Sequence, residues 1–168
     1  PGVKCVVTGQ DVPVLCGVLL KDRPALAIDK VRYFGEPVAL VIALSEQEAA
    51  FGADQVAVQY EELPAIGSVA EALAPGAAPI HELLGSYEAV VADVYPQQGT
   101  NIASRYRIRK GDMQRGWQDS EVVVEEVYSL PPSDHLAMEV RSAQAEIKPD
   151  GAVHITTASQ SPYTVRKL

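Results

Sequence analysis

Three features of the sequence predict an α+β fold. Residues 27–64 read in order as a strand, a Gly-Glu-Pro turn, a buried strand, a capped helix and an alternating strand. Two Ser-x-x-Glu capping boxes, Ser45 with Glu48 and Ser68 with Glu71, each mark a helix start. Past residue 100 the chain turns to alternating strands, with Asp150-Gly151 as a hairpin signal.

The elements follow from local chemistry. Cys5-Val6-Val7 is a short apolar strand, and Thr8 to Pro13 a turn. Residues 25–33 read as extended. The block 38–44 carries no charge, which predicts a strand covered on both faces. Ser45 caps a helix beginning at Glu46, and residues 55–63 alternate, with Val56, Val58 and Tyr60 on one face. Ser68 caps a second helix over residues 69–74, stopped by Pro75-Gly76. The stretch APGAAP at 74–79 has linker composition, and residues 80–100 read as a long irregular connector. Residues 101–110 are extended, and residues 113–118 form a helical turn with Trp117 facing inward. Residues 121–128 and 142–148 are strands, the latter joined through Asp150-Gly151 to residues 152–157. Ser161 before Pro162 opens a last helix, because proline at the first helical position loses no hydrogen bond. The predicted division is 1–79, 80–100 and 101–168.

Composition narrows the function. The 168 residues are 47% hydrophobic with a formal net charge of −8, which argues against nucleic-acid binding. Arg105, Arg107, Arg109 and Lys110 form the one basic cluster, read as a solvated face or an anion or partner contact. No run approaches the ~18 apolar residues needed to span a bilayer, and Pro1-Gly2-Val3-Lys4 has no signal-peptide pattern. The two cysteines, Cys5 and Cys16, lack metal-site spacing and are expected as reduced, buried or half-buried thiols in a reducing, cytoplasmic compartment. A chain opening on Pro-Gly reads as a fragment.

Candidate site residues are few. Gln160 is placed at the end of a buried strand before a helix, where an amide can hydrogen-bond a ligand oxygen without adding charge. His135 and Glu139 have helical spacing but no third ligand follows, so a structural role is expected, with Glu139 the better candidate for burial. His81 and His154 have no triad partners, and Ser159 and Ser161 lack a His–Asp arrangement or nucleophile elbow. Glu36 is expected to support its turn, and Glu61-Glu62 to cap a strand.

The run 27–64 resembles the alpha/beta hammerhead domain of the molybdenum-binding subunit of the xanthine dehydrogenase and aldehyde oxidase family. The second half resembles the molybdopterin-binding region of the same family. There Lys110-Gly111-Asp112, Asp119, His135 with Glu139, and Ala158-Ser159-Gln160 occur in the family's order. The resemblance implies a hammerhead-like domain, a connector, and the first strands of a mixed-sheet molybdopterin-binding domain. It implies a molybdenum–molybdopterin cofactor in the complete protein, which would hydroxylate an aldehyde or nitrogen heterocycle with water as oxygen source. Electrons would leave through iron–sulfur and FAD subunits or domains. Gln160 matches the glutamine whose amide approaches the molybdenum's oxo ligand.

The family's glycine-rich pterin segment, substrate-orienting arginine and catalytic glutamate match nothing here. The chain alone is therefore expected to be inactive and cofactor-free. Reuse of the hammerhead fold as a non-catalytic scaffold or docking module is the alternative. Self-association through a truncated sheet edge, at residues 4–8 or 25–33, is also expected.

Overall fold

The computed structural model describes residues 2–134 and 136–166 and divides between Tyr106 and Arg107 into two units. In the first, β1 (Val3–Thr8) pairs antiparallel with β4 (Ala39–Ala43), with Val7 opposite Leu40 and Val6 opposite Val41. Short β2 (Leu15–Cys16) and β3 (Arg23–Pro24) form a second antiparallel pair. Helix α1 (Glu46–Asp54) starts where the first capping box places it. The Glu48 backbone N–H donates to Ser45 Oγ at 3.3 Å, and Ser45 Oγ donates to Glu48 Oε2 at 3.0 Å. Helix α2 (Val69–Ala72) repeats the device: the Glu71 N–H donates to Ser68 Oγ, and Glu71 Oε2 accepts from the Gly67 N–H.

Gly52 explains how α1 lies on the sheet. A Cβ there would stand 2.8 Å from Val3 Cγ2 and 2.9 Å from Val41 Cγ1, so only a glycine permits this approach. The helix covers one face of β4. Ala39, Val41 and Ala43 are half-buried whereas Leu40 and Ile42 are exposed, which corrects the expectation of a strand covered on both faces.

The core of this unit is Leu20, Leu84 and Val94, with Tyr87 packed against it. Residues 80–100 supply two of those three side chains. The Lys21 N–H donates to Glu88 O and the Val90 N–H to Leu19 O, both at 2.9 Å, and Leu20 bridges Ala89. Asn101 adds a clip: its Oδ1 accepts from the Ile80 N–H at 2.7 Å while its Nδ2 donates to Ala72 O and Ala78 O.

In the second unit, Asp112 caps α3 (Met113–Asp119) by accepting from the Arg115 N–H. Strands β5 (Ala143–Ile147) and β6 (Val153–Thr157) form the predicted hairpin. Gly151 at φ 86° closes its turn, donating to Lys148 O at 2.9 Å, and Asp150 Oδ1 accepts from the Ala152 N–H. A one-turn helix, α4 (Pro162–Val165), follows.

Four extended segments expected as strands carry no ladder: 25–33, 55–63, 101–110 and 121–128. A ladder needs a neighbour, and none is supplied to them among the described residues. Trp117 is 57% exposed rather than inward-facing, because nothing among the described residues packs against that side of α3. No helix among the described residues is long and apolar enough to cross a membrane.

Candidate functional site

Gln160 sits on a bend between β6 and α4. The bend is built locally. Ser159 Oγ accepts from the Ser161 N–H at 3.0 Å, and Pro162 starts the helix with no N–H to satisfy. The outgoing strand is pinned two residues earlier, where the Ala158 N–H and Thr157 Oγ1 both donate to Ser142 O. A cavity of about 360 Å³ lies beside that pin, lined by Arg141, Ser142, Ala143, Thr157 and Ala158.

Gln160 itself is exposed, and its amide has no hydrogen-bond partner among the described residues. The strand before it is exposed on both faces, which corrects the expectation of a buried one. An amide on an open bend fits a single hydrogen-bonding contact to a cofactor atom. It does not make a holder: among the described residues no group of three or more His, Cys, Asp or Glu comes together.

The other candidates do not join it. His135 lies outside the described residues, and Glu139 is exposed rather than buried. His154 is exposed opposite Glu146 in the hairpin ladder. Asp119 accepts from Arg115 Nε across one turn of α3, and Asp112 is spent as a cap. Glu61 and Glu62 are exposed on an unladdered segment, so they cap no strand. Glu36 does support its turn. It is 7% exposed, and its Oε2 accepts from the Arg32 N–H at 2.6 Å. Cys16 is half-buried, with Sγ donating to Arg23 O, whereas Cys5 is exposed; both thiols are free.

A polar cluster that sequence reasoning missed lies in the first unit. Arg32 donates to Asp29 through both terminal nitrogens, at 3.1 and 3.2 Å, and through Nε to Ile80 O. Glu82 stands 3.8 Å from Arg32 and pairs closely with Lys30. His81 Nδ1 meets the Tyr87 hydroxyl at 3.2 Å, the rings edge to face. Burial holds the His81 imidazole below its ordinary pKa, and the Arg32 charge acts the same way. The Lys30–Glu82 bond keeps the Glu82 carboxyl below its usual range. These charges satisfy one another at the rim of a cavity of about 880 Å³, walled by apolar residues such as Val31, Val58, Tyr60 and Ile80. Glu61 lines the same cavity and has no hydrogen bond or ion pair among the described residues. Asp29 and Arg32 are three apart and were readable from sequence, but Glu82 is 50 residues from Arg32 and gave no local signal.

The class these observations define is a mixed α/β chain with small sheets, with an exposed amide on the bend between β6 and α4. Comparison with known proteins makes the class specific. Residues 1–64 match the a/b hammerhead domain of aldehyde oxidase and xanthine dehydrogenase, and residues 94–168 match the molybdopterin cofactor-binding domain. The chain therefore belongs to the molybdenum-binding subunit of the xanthine dehydrogenase and aldehyde oxidase family. It is 34% identical over 98% of its length to a probable xanthine dehydrogenase subunit of Bacillus subtilis (strain 168). It is 29% identical over its full length to the xanthine dehydrogenase molybdenum-binding subunit of Escherichia coli O157:H7. A nicotinate dehydrogenase large molybdopterin subunit of Eubacterium barkeri is 26% identical over 96% of the chain. The chain spans only 20%, 22% and 35% of the lengths of these three relatives. No solved structure matches it significantly.

Proposed function

We propose that this chain is part of a molybdenum hydroxylase that oxidises an aldehyde or nitrogen heterocycle with water as oxygen source. The observation that carries the proposal is the ordered pair of family matches, hammerhead then cofactor-binding, over one chain. Its finer arrangement is a partial hammerhead domain at 1–79, a connector at 80–100, and the start of the cofactor-binding domain at 101–168. Iron–sulfur and FAD subunits or domains would be its redox partners, and the cytoplasm its compartment.

Molybdenum on a pterin dithiolene, when bound, supplies oxygen transfer and takes up two electrons; the protein supplies position and electrostatics. In this reading Gln160 contributes one hydrogen bond to that group from the bend after β6, a contact its unpartnered amide is free to make. Ser159 and Pro162 position it, the first by fixing the bend and the second by starting α4 without an N–H to satisfy. No step is assigned to other residues of the chain, since none of those described offers a free acid or base beside Gln160.

The test uses the whole subunit assembled with its partners. Gln160→Ala should lower kcat by roughly 10- to 100-fold, the usual scale for losing a hydrogen bond to a metal site's shell, with molybdenum content unchanged. Unchanged turnover removes Gln160 from the site. Absence of turnover on any aldehyde or heterocycle by the unmutated, molybdenum-loaded assembly removes the enzyme reading in favour of a scaffold.

A further inference from the structure

The cavity of about 880 Å³ has a charge balance that selects a ligand. Its lining residues all fall between Ala27 and Glu82, inside the first unit. Five of them are charged: Asp29, Lys30, Arg32, Glu61 and Glu82. Four of the five are spent on one another, Arg32 on Asp29 and Lys30 on Glu82, with Glu82 also 3.8 Å from Arg32. Glu61 is the one left without an ion pair or hydrogen bond among the described residues. The lining therefore carries one uncompensated negative charge, in a chain whose net charge is −8. The rest of the wall is mostly apolar, through residues such as Val31, Val38, Val58, Leu63 and Ile80. Tyr33 and Tyr60 are aromatic members of it.

We propose that this cavity binds an organic monocation, an ammonium group carried on an aromatic or alkyl body. The size fits, since sites for small organic molecules run to about 300–1,000 Å³ and set a few polar groups in a mainly apolar lining. Charge fixes the sign. An anion would meet the Glu61 carboxylate with Lys30 and Arg32 already engaged, whereas a cation finds the one carboxylate that is not shared. The body of the ligand would leave water for the aliphatic wall, and aromatic rings attract a cation over their faces. A bare metal ion fits poorly, because Glu61 is a single carboxylate and no group of three or more His, Cys, Asp or Glu comes together among the described residues. Glu62, next in the chain, is not among the lining residues, so two adjacent carboxylates separate a local contact from the general field of an acidic chain. The proposal does not rest on the redox reading, because it uses neither Gln160 nor the cofactor.

The test uses the whole subunit assembled with its partners, and benzyltrimethylammonium as the probe, followed by saturation-transfer NMR. Benzyl alcohol and benzenesulfonate serve as the neutral and anionic comparators. The cation should bind with a Kd on the order of 1 mM, the affinity expected of so small a ligand, and both comparators should bind more weakly. Glu61→Gln should weaken binding of the cation about fivefold, the upper reach of one exposed charge pair, and leave benzyl alcohol unaffected. Glu62→Gln removes the same charge one residue away and should bind the cation as the unmutated protein does. No binding of the cation to the unmutated protein, or benzenesulfonate binding as tightly, overturns the proposal without recourse to a variant. Equal losses in the two variants would mean attraction by overall charge alone, and no loss in Glu61→Gln would put the probe elsewhere; either result overturns it as well.

Discussion

At the scale of single residues, the best-defined chemistry belongs to Glu36 and to His81. Glu36 is nearly buried, and its carboxylate accepts from the Arg32 N–H at 2.6 Å, holding the turn that leads into β4. Replacing it by alanine strands that N–H. Glu36→Ala should cost about 1–3 kcal/mol, read as a lower urea midpoint, whereas Glu36→Gln keeps an acceptor and should cost less. Equal losses in the two variants would mean the hydrogen bond is not what matters. His81 gives a pH signature. Its folded pKa lies below the ordinary 6.5, from burial first and the Arg32 charge second. As pH falls through the interval between the two pKa values, the unfolded chain takes up the proton before the folded one does. Stability therefore falls with falling pH below about 6.5, and levels off once the folded imidazole is also protonated. His81→Gln should flatten that part of the profile. The acid-side loss from Asp29 and Glu82, whose carboxyls titrate lower, should persist in the variant.

Among the elements, α1 on β4 decides a conflict of two magnitudes. Alanine in a helix interior is better than glycine by roughly 0.5–1 kcal/mol. At Gly52, however, the new methyl would press on Val3 and Val41, whose branched side chains have little rotamer freedom to yield. Overpacking of that kind costs about 1–3 kcal/mol, so Gly52→Ala should be net destabilising. A higher unfolding midpoint in that variant would show that the helix sits further from the sheet. Loss of the cap by Ser45→Ala should cost about 1 kcal/mol, with faster amide exchange confined to the first turn of α1. The helices and the hairpin were legible in the sequence because their determinants are local: Ser45 with Glu48, Ser68 with Glu71, and Asp150-Gly151 each act within a few residues. The extended segments were legible as extended but not as laddered, because a strand's partner is set by other parts of a structure. Arg32 with Glu82, and Asn101 with Ile80, were invisible for the same reason, joining residues 21 to 50 positions apart. Gln160 stood out through the order of family motifs; its bend, set by Ser159 and Pro162, shows how the chain presents it.

For the whole molecule, the decisive quantity is surface. The described chain exposes 14858 Å², where a compact 18.0 kDa protein would expose roughly 8,000 Å². Division into two bodies does not close the gap, since two halves of that mass would expose roughly 9,700 Å² together. Among the described residues only Leu20, Leu84 and Val94 form a buried apolar core, and all three lie in the first unit. Burial drives cooperative unfolding, and this small amount gives a shallow transition. The sensitivity to urea scales with surface newly exposed, and for small proteins it is about 1–3 kcal/mol per molar. The 168-residue chain alone should fall below the lower end of that range and should bind a hydrophobic dye while folded. The first unit, where β1, β4 and α1 pack together, should retain the slowest amide exchange. If the segments left without ladders acquire neighbours in a larger assembly, the same residues should become protected there, those of 121–128 foremost. A single steep transition of the isolated chain, with a slope near ~2 kcal/mol per molar and no dye binding, would require a core that these residues do not form.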